Sequence, residues 1–133
     1  MMAIRAETLR RYGAEEALRT RMSEAEVAAE IDRQARAWAE AFDGHSLLVL
    51  GRAANRYDAT PDLARIAAPV LFVLSRTDAL FPPKLTETVM PALKAAGVAA
   101  SYFEIDSPHG HLASGADALK WAPALATFLN SLG

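Results

Sequence analysis

Two residues of this sequence have the types and the settings to move protons together: Asp78 and His111, 33 residues apart. Asp78 ends the polar stretch Ser75-Arg76-Thr77-Asp78, which follows a continuous apolar run, Val70-Leu71-Phe72-Val73-Leu74. His111 closes His109-Gly110-His111, in a loop that follows a second run, from about Ala99 to Ile105, with Tyr102, Phe103 and Ile105. A carboxylate beside an imidazole fixes the ring tautomer and stabilises the imidazolium that forms when the ring takes a proton from a nucleophile. Each residue also has a plainer reading. An Asp after a strand is a common turn residue or helix cap, and a histidine in a polar loop is commonly a solvated side chain. His109 and His111 could be taken as a metal-binding pair, but no third ligand lies near them in the sequence, so no metal site is assigned. His45 stands at a helix start and reads as structural or surface. Arg33 and Arg36 read as a solvated helix face.

For the acid and the imidazole to meet, the two apolar runs must be neighbours. A run of this length without alternation predicts a strand buried on both faces, as in a parallel sheet. Between the runs, Pro82 and Pro83 suit the entry to a helix. That helix carries Leu85, Val89, Leu93 and Ala96, stops at Gly97, and has Pro91 inside it as a candidate kink. A strand–helix–strand unit of this kind has parallel strands and a right-handed crossover. The loops of Asp78 and His111 then lie outside the carboxyl ends of the strands, where open α/β sheets bind their ligands. A last helix is expected from about Ala116 to Leu132.

The first third reads as helix. From Glu7 to Ala41 there is no proline, Gly13 is the only glycine, and Ala, Glu and Arg dominate. Ser23 and Glu26 fit a capping box that starts a helix after Ser23. Val27, Ile31, Ala35, Trp38 and Phe42 form its apolar stripe, for which the sequence shows no evident cover. Gly44 ends it, and a second short helix is expected from Leu47 to Tyr57. Only two strands are read, few for a doubly wound sheet, and Val70 to Leu74 has neither charge nor proline to blunt a free edge. A homo-oligomer, or a complex with a companion chain, is therefore expected.

Composition narrows the function classes. The net charge of −2 offers no bulk attraction to nucleic acid or an anionic membrane. The absence of cysteine excludes disulfides, thiolate nucleophiles and cysteine-ligated zinc. Met1 to Arg10 lacks the apolar stretch of a secretory signal, and no window approaches the roughly 18 apolar residues of a membrane span. A cytoplasmic location is the default expectation.

Four stretches resemble the homoserine O-acetyltransferase family. Phe42-Asp43-Gly44-His45-Ser46-Leu47 through Arg52 and Asp58 is similar to the helix after that family's lid. Leu63 to Leu71 is similar to its approach into the penultimate core strand. Thr77-Asp78-Ala79-Leu80-Phe81-Pro82-Pro83 resembles the loop of its catalytic acid, and Ile105-Asp106-Ser107-Pro108-His109-Gly110-His111 the loop of its catalytic histidine. The resemblance runs over about residues 22 to 133 and implies an α/β class, a partial α/β-hydrolase fold: lid-like helices over residues 1–60, then a strand–helix–strand–helix part of the core over 61–133. It implies Asp78 as triad acid and His111 as triad base, and acetyl-CoA or another acyl-CoA as co-substrate of a complete enzyme, with no bound cofactor. His109 receives no role.

Two features depart from the family. Its nucleophile is a serine in a Gly-X-Ser-X-Gly elbow, and none of Ser23, Ser46, Ser75, Ser101, Ser107, Ser114 or Ser131 has that setting. Transferases of this type also carry an aspartate directly after the histidine, where this chain has Leu112. A leucine cannot pair the ammonium group of homoserine, so a divergent acyltransferase is expected, with an esterase of the same fold or a non-catalytic binding remnant as alternatives. The sequence predicts that residues 1–133 alone do not hydrolyse an activated acetyl ester. Turnover well above buffer that disappears in a His111→Ala chain would overturn that expectation.

Overall fold

The computed structural model describes all of residues 1–133. The chain opens with three helices: α1 (Met2–Arg11), α2 (Ala14–Arg19) and α3 (Glu24–Ala41). Ser23 caps α3 as expected. Its hydroxyl accepts from the Glu26 N–H, and the Glu26 carboxylate accepts from the Ser23 N–H in return. The helical sequence upstream of Ser23 forms two short helices, because Gly13 turns the chain with φ of +85°, a conformation that side chains with a Cβ rarely adopt.

That turn overturns a second expectation. The apolar stripe of α3 is covered from within the chain: α1 and α2 fold back, and Ala6, Leu9, Ala14 and Leu18 pack on Val27, Ile31 and Ala35. Trp38 and Phe42, further along the stripe, stack on each other with ring centroids 4.7 Å apart. The sequence could not show this cover, since α1 is too short for its own periodicity to say which face is buried or against what.

Helix α4 (Gly44–Ala54) starts earlier and ends sooner than expected, because the Asp43 carboxylate accepts from the Ser46 N–H and caps it one turn before Leu47. It buries no residue, and Leu48, Val49 and Leu50 are exposed.

Strand β1 (Val70–Ser75), helix α5 (Thr86–Ala95) and strand β2 (Ala100–Ile105) form the expected unit. The strands pair in parallel, from Val70 opposite Ala100 to Ser75 opposite Ile105. Pro82 and Pro83 lead through a short 3₁₀ turn into α5, which continues through Pro91, and α5 packs against β2. The sheet has only these two strands, so each has one unpaired edge. The last helix, α7 (Ala118–Asn130), lies close to its expected span and is preceded by a single turn, α6 (Ala113–Ala116). No helix is long and apolar enough to cross a membrane.

Ile31 is fully buried at the centre of the helical core, whereas Leu119 on α7 is 89 % exposed. Ile31→Ala is expected to lower the unfolding free energy by about 2–5 kcal/mol and Leu119→Ala to change it by no more than about 0.5 kcal/mol, both read from urea midpoints.

Candidate active site

The parallel ladder ends with Ser75 opposite Ile105, and the N–H of Arg76 still reaches the Ile105 carbonyl at 3.0 Å. Both chains leave the sheet at this one level, so the loops of Asp78 and His111 start side by side. The Asp78 carboxylate divides its two oxygens between two tasks. Oδ1 accepts from the backbone N–H groups of Leu80 and Phe81, at 2.7 and 3.0 Å, which closes a tight turn. Oδ2 lies 2.9 Å from Nδ1 of His111. One side chain therefore serves a turn and the imidazole together, since the turn fixes the carboxylate with one oxygen left over for the ring.

Asp78 is 6 % exposed. Burial pushes its carboxyl up, but the N–H of Phe81, the His111 ring and the N–H of Leu80 together outweigh burial and hold it below the ordinary carboxylate value. With Asp78 ionised, Nδ1 carries the proton of a neutral His111 ring and Nε2 is left as acceptor. The ring is about one-third exposed (34 %). It is flanked by Phe81, at 5.3 Å between centroids, and by Tyr12 from the turn between α1 and α2, at 5.0 Å. A cleft of about 160 Å³ opens beside the pair, lined among others by Ser75, Ser114 and Trp121.

The histidine loop is tied down on every side. Ser107, fully buried, accepts the His109 N–H at 3.1 Å. Lys120 on α7 donates to the Asp106 carbonyl at 2.9 Å and to Asp117 at 3.0 Å. The Ser107 hydroxyl first, then Lys120, holds the Asp117 carboxyl below its ordinary value. Thr77 donates to the Ser107 carbonyl at 2.7 Å and accepts the Gly110 N–H at 3.1 Å. The turn at Gly13 presses against the loop, where a Cβ on Gly13 would stand 2.7 Å from the His109 carbonyl oxygen. The Leu112 N–H reaches the Tyr12 carbonyl at 3.3 Å, and the Leu112 side chain packs on the helical core.

Asp78 and His111 are thus brought together. His109 is half-buried, and its Nδ1 is enclosed without a partner. His45 is exposed in the first turn of α4. Tyr12 and Gly13 were not singled out by sequence reading, and Thr77 stood in the acid-loop stretch without a role. Phe81 carried a signal in the motif of the acid loop, but Tyr12 and Gly13 are far from His111 in sequence and no local pattern marks them.

The chain is 31 % identical over 127 residues to a homoserine O-acetyltransferase of Geobacter sulfurreducens, covering 90 % of this chain and 34 % of that protein. It is 36 % identical over 95 residues to a homoserine O-acetyltransferase of Methanocorpusculum labreanum, covering 67 % and 20 %. A homoserine O-succinyltransferase of Bordetella pertussis is 35 % identical over 96 residues, covering 66 % and 23 %. Among solved structures, esterase E22 superposes with a TM-score of 0.62 at 25 % identity, over 83 % of this chain and 31 % of that one. The chain belongs to the homoserine O-acetyltransferase-like family of α/β-hydrolase-fold proteins. No family model matches it. It spans between about a fifth and a third of the length of these curated relatives. Its two-stranded parallel sheet and flanking helices are a part of the α/β-hydrolase fold, as the resemblance implied.

The low value of Asp78 fixes the sign of a pH effect. A carboxyl that binds its proton less readily in the folded than in the unfolded chain stabilises the fold fully above the ordinary value of about 3.9, and this contribution is lost as pH falls through the depressed folded value. Asp78→Asn is therefore expected to destabilise the chain near neutral pH, with the gap to wild type narrowing below about pH 4. Urea midpoints measured from pH 7 downward check this; a gap that stays constant with pH would contradict it.

Proposed function

We propose that residues 1–133 furnish the acid and the base of a Ser-His-Asp acyl-transfer site, with Asp78 as the acid and His111 as the base. The observation that carries this is the 2.9 Å contact between Asp78 Oδ2 and His111 Nδ1, made from the carboxyl ends of two adjacent parallel strands. Asp78 fixes the tautomer with Nδ1 protonated, so Nε2 is the nitrogen that takes a proton from a serine hydroxyl. The serine attacks the acyl carbonyl of a donor such as acetyl-CoA or another acyl-CoA, and His111 returns the proton to the departing thiol. An acceptor hydroxyl then gives its proton to His111 and attacks the acyl-serine; the acyl–serine bond breaks, His111 passes that proton to the serine oxygen, and the new ester is released.

The serine and the oxyanion donors are supplied from outside residues 1–133, either in the same polypeptide or by a companion chain. The unpaired edge of β1 is the place for such a neighbour to pair, because Val70 to Leu74 carries no charge to deter it. Self-association through the same edge is the competing arrangement. The helices of residues 1–60 form a lid-like roof in this reading, with Tyr12 as the part that reaches the histidine.

A second reading, ester hydrolysis, differs only in the acceptor. It is favoured by Leu112, which is turned into the helical core and offers no charge to an amino-alcohol acceptor, and by the likeness to an esterase. The two readings part on the fate of the acyl group: transfer yields an acylated alcohol, hydrolysis the free acid.

The test is turnover of an activated acetyl ester by residues 1–133 joined to, or mixed with, a segment that bears a Gly-X-Ser-X-Gly elbow. His111→Ala is expected to lower that turnover by about 10³-fold or more. Turnover unchanged by both His111→Ala and Asp78→Asn would overturn the assignment.

A further inference from the structure

Beyond the last rung of the sheet, few bonds hold the acid loop to the histidine loop. An ion pair between Arg76 and Asp106, at 2.7 Å, is exposed at both ends, and surface pairs of that kind fix geometry weakly. Phe81 packs on the His111 ring, but the remaining hydrogen bonds, apart from the Asp78–His111 contact, pass through one oxygen, Oγ1 of Thr77. It donates to the carbonyl of Ser107 and accepts the N–H of Gly110. Thr77 immediately precedes the acid, and Gly110 immediately precedes the histidine. A single hydroxyl therefore stands one residue from each member of the pair.

We propose that Thr77 is a positioning residue of the acid–histidine pair, its hydroxyl setting the separation of the two loops so that Asp78 Oδ2 and His111 Nδ1 meet. The role rests on the acyl-transfer reading given above. It needs a group that donates and accepts at once, because a carbonyl and an N–H must both be met; a hydroxyl does so and a methyl does neither. Gly110 is buried and has φ of +54°, so its N–H cannot turn to water without moving the His109–Gly110 peptide, one residue before the ring. Losing the hydroxyl frees the histidine loop at the residue next to the ring, and small displacements of that kind are what separate an aligned proton acceptor from a misaligned one.

The ring of His111 reports the outcome without any nucleophile. Nitrogen NMR of the purified chain distinguishes a ring protonated at Nδ1 from a mixture of tautomers. In the wild type, the Nδ1-protonated form is expected to dominate where the ring is neutral. Thr77→Val is expected to shift the folded chain towards a tautomer mixture, and Thr77→Ser to restore the wild-type pattern. Lys120→Met, which loosens the same loop at its other end, is expected to lower the melting temperature and leave the tautomer unchanged. A folded Thr77→Val chain with the wild-type ring pattern would sink the proposal while leaving the triad reading intact. A wild-type ring not protonated at Nδ1 would sink the triad reading itself. Should the valine chain fail to fold, hydrogen exchange of the wild type decides: the Gly110 amide is expected to be slowed by about fivefold or more relative to an unbonded amide, and exchange at the free rate would overturn the proposal.

Discussion

The parallel pairing of β1 with β2 is the constraint on which the arrangement rests. Parallel strands leave a sheet in the same direction, so both loops emerge at one end, and the register sets how far apart they start. With Ser75 opposite Ile105, the acid is three residues past the end of its strand and the histidine six residues past the end of its own. A slip of one residue would turn every strand side chain to the other face and carry the loops out of step. The burial of Leu74, Ser75 and Ile105 at this end, while the start of each strand is only half-buried, concentrates the packing where the site needs it.

A second support comes from the helices. The turn at Gly13 and the loop at Gly110 approach each other so closely that neither position has room for a side chain without movement. This contact couples the helical core of α1, α2 and α3 to the histidine. The ring of His111 has one aromatic neighbour from its own sheet end, Phe81, and one from the helices, Tyr12. Leu112, the next residue, is anchored in the helical core.

Asp78 shows how electrostatics and local structure support each other. A buried carboxyl is costly to ionise, yet two backbone N–H groups and the ring more than offset that cost. The turn that stabilises the charge also aims it. The same economy appears on the other loop, where Ser107 serves the His109 N–H and Asp117 together.

Local patterns made much of this legible. The capping box at Ser23, the apolar runs of β1 and β2, the prolines before α5 and the glycine after it are short-range signals, written in neighbouring residues and realised wherever the chain folds. The sequence by itself also set an acid and a histidine just after the two strands of one strand–helix–strand unit, and the structure made those strands neighbours. Only the tertiary structure decided that the Asp78 carboxylate would split between turn and ring and that α1 and α2 would cover α3. Tyr12, Gly13 and Thr77 meet the histidine loop through contacts between residues far apart in the chain. No spacing rule reaches that far: periodicity reports which face of an element is apolar, whereas the partner of that face is chosen by the packing of the whole chain.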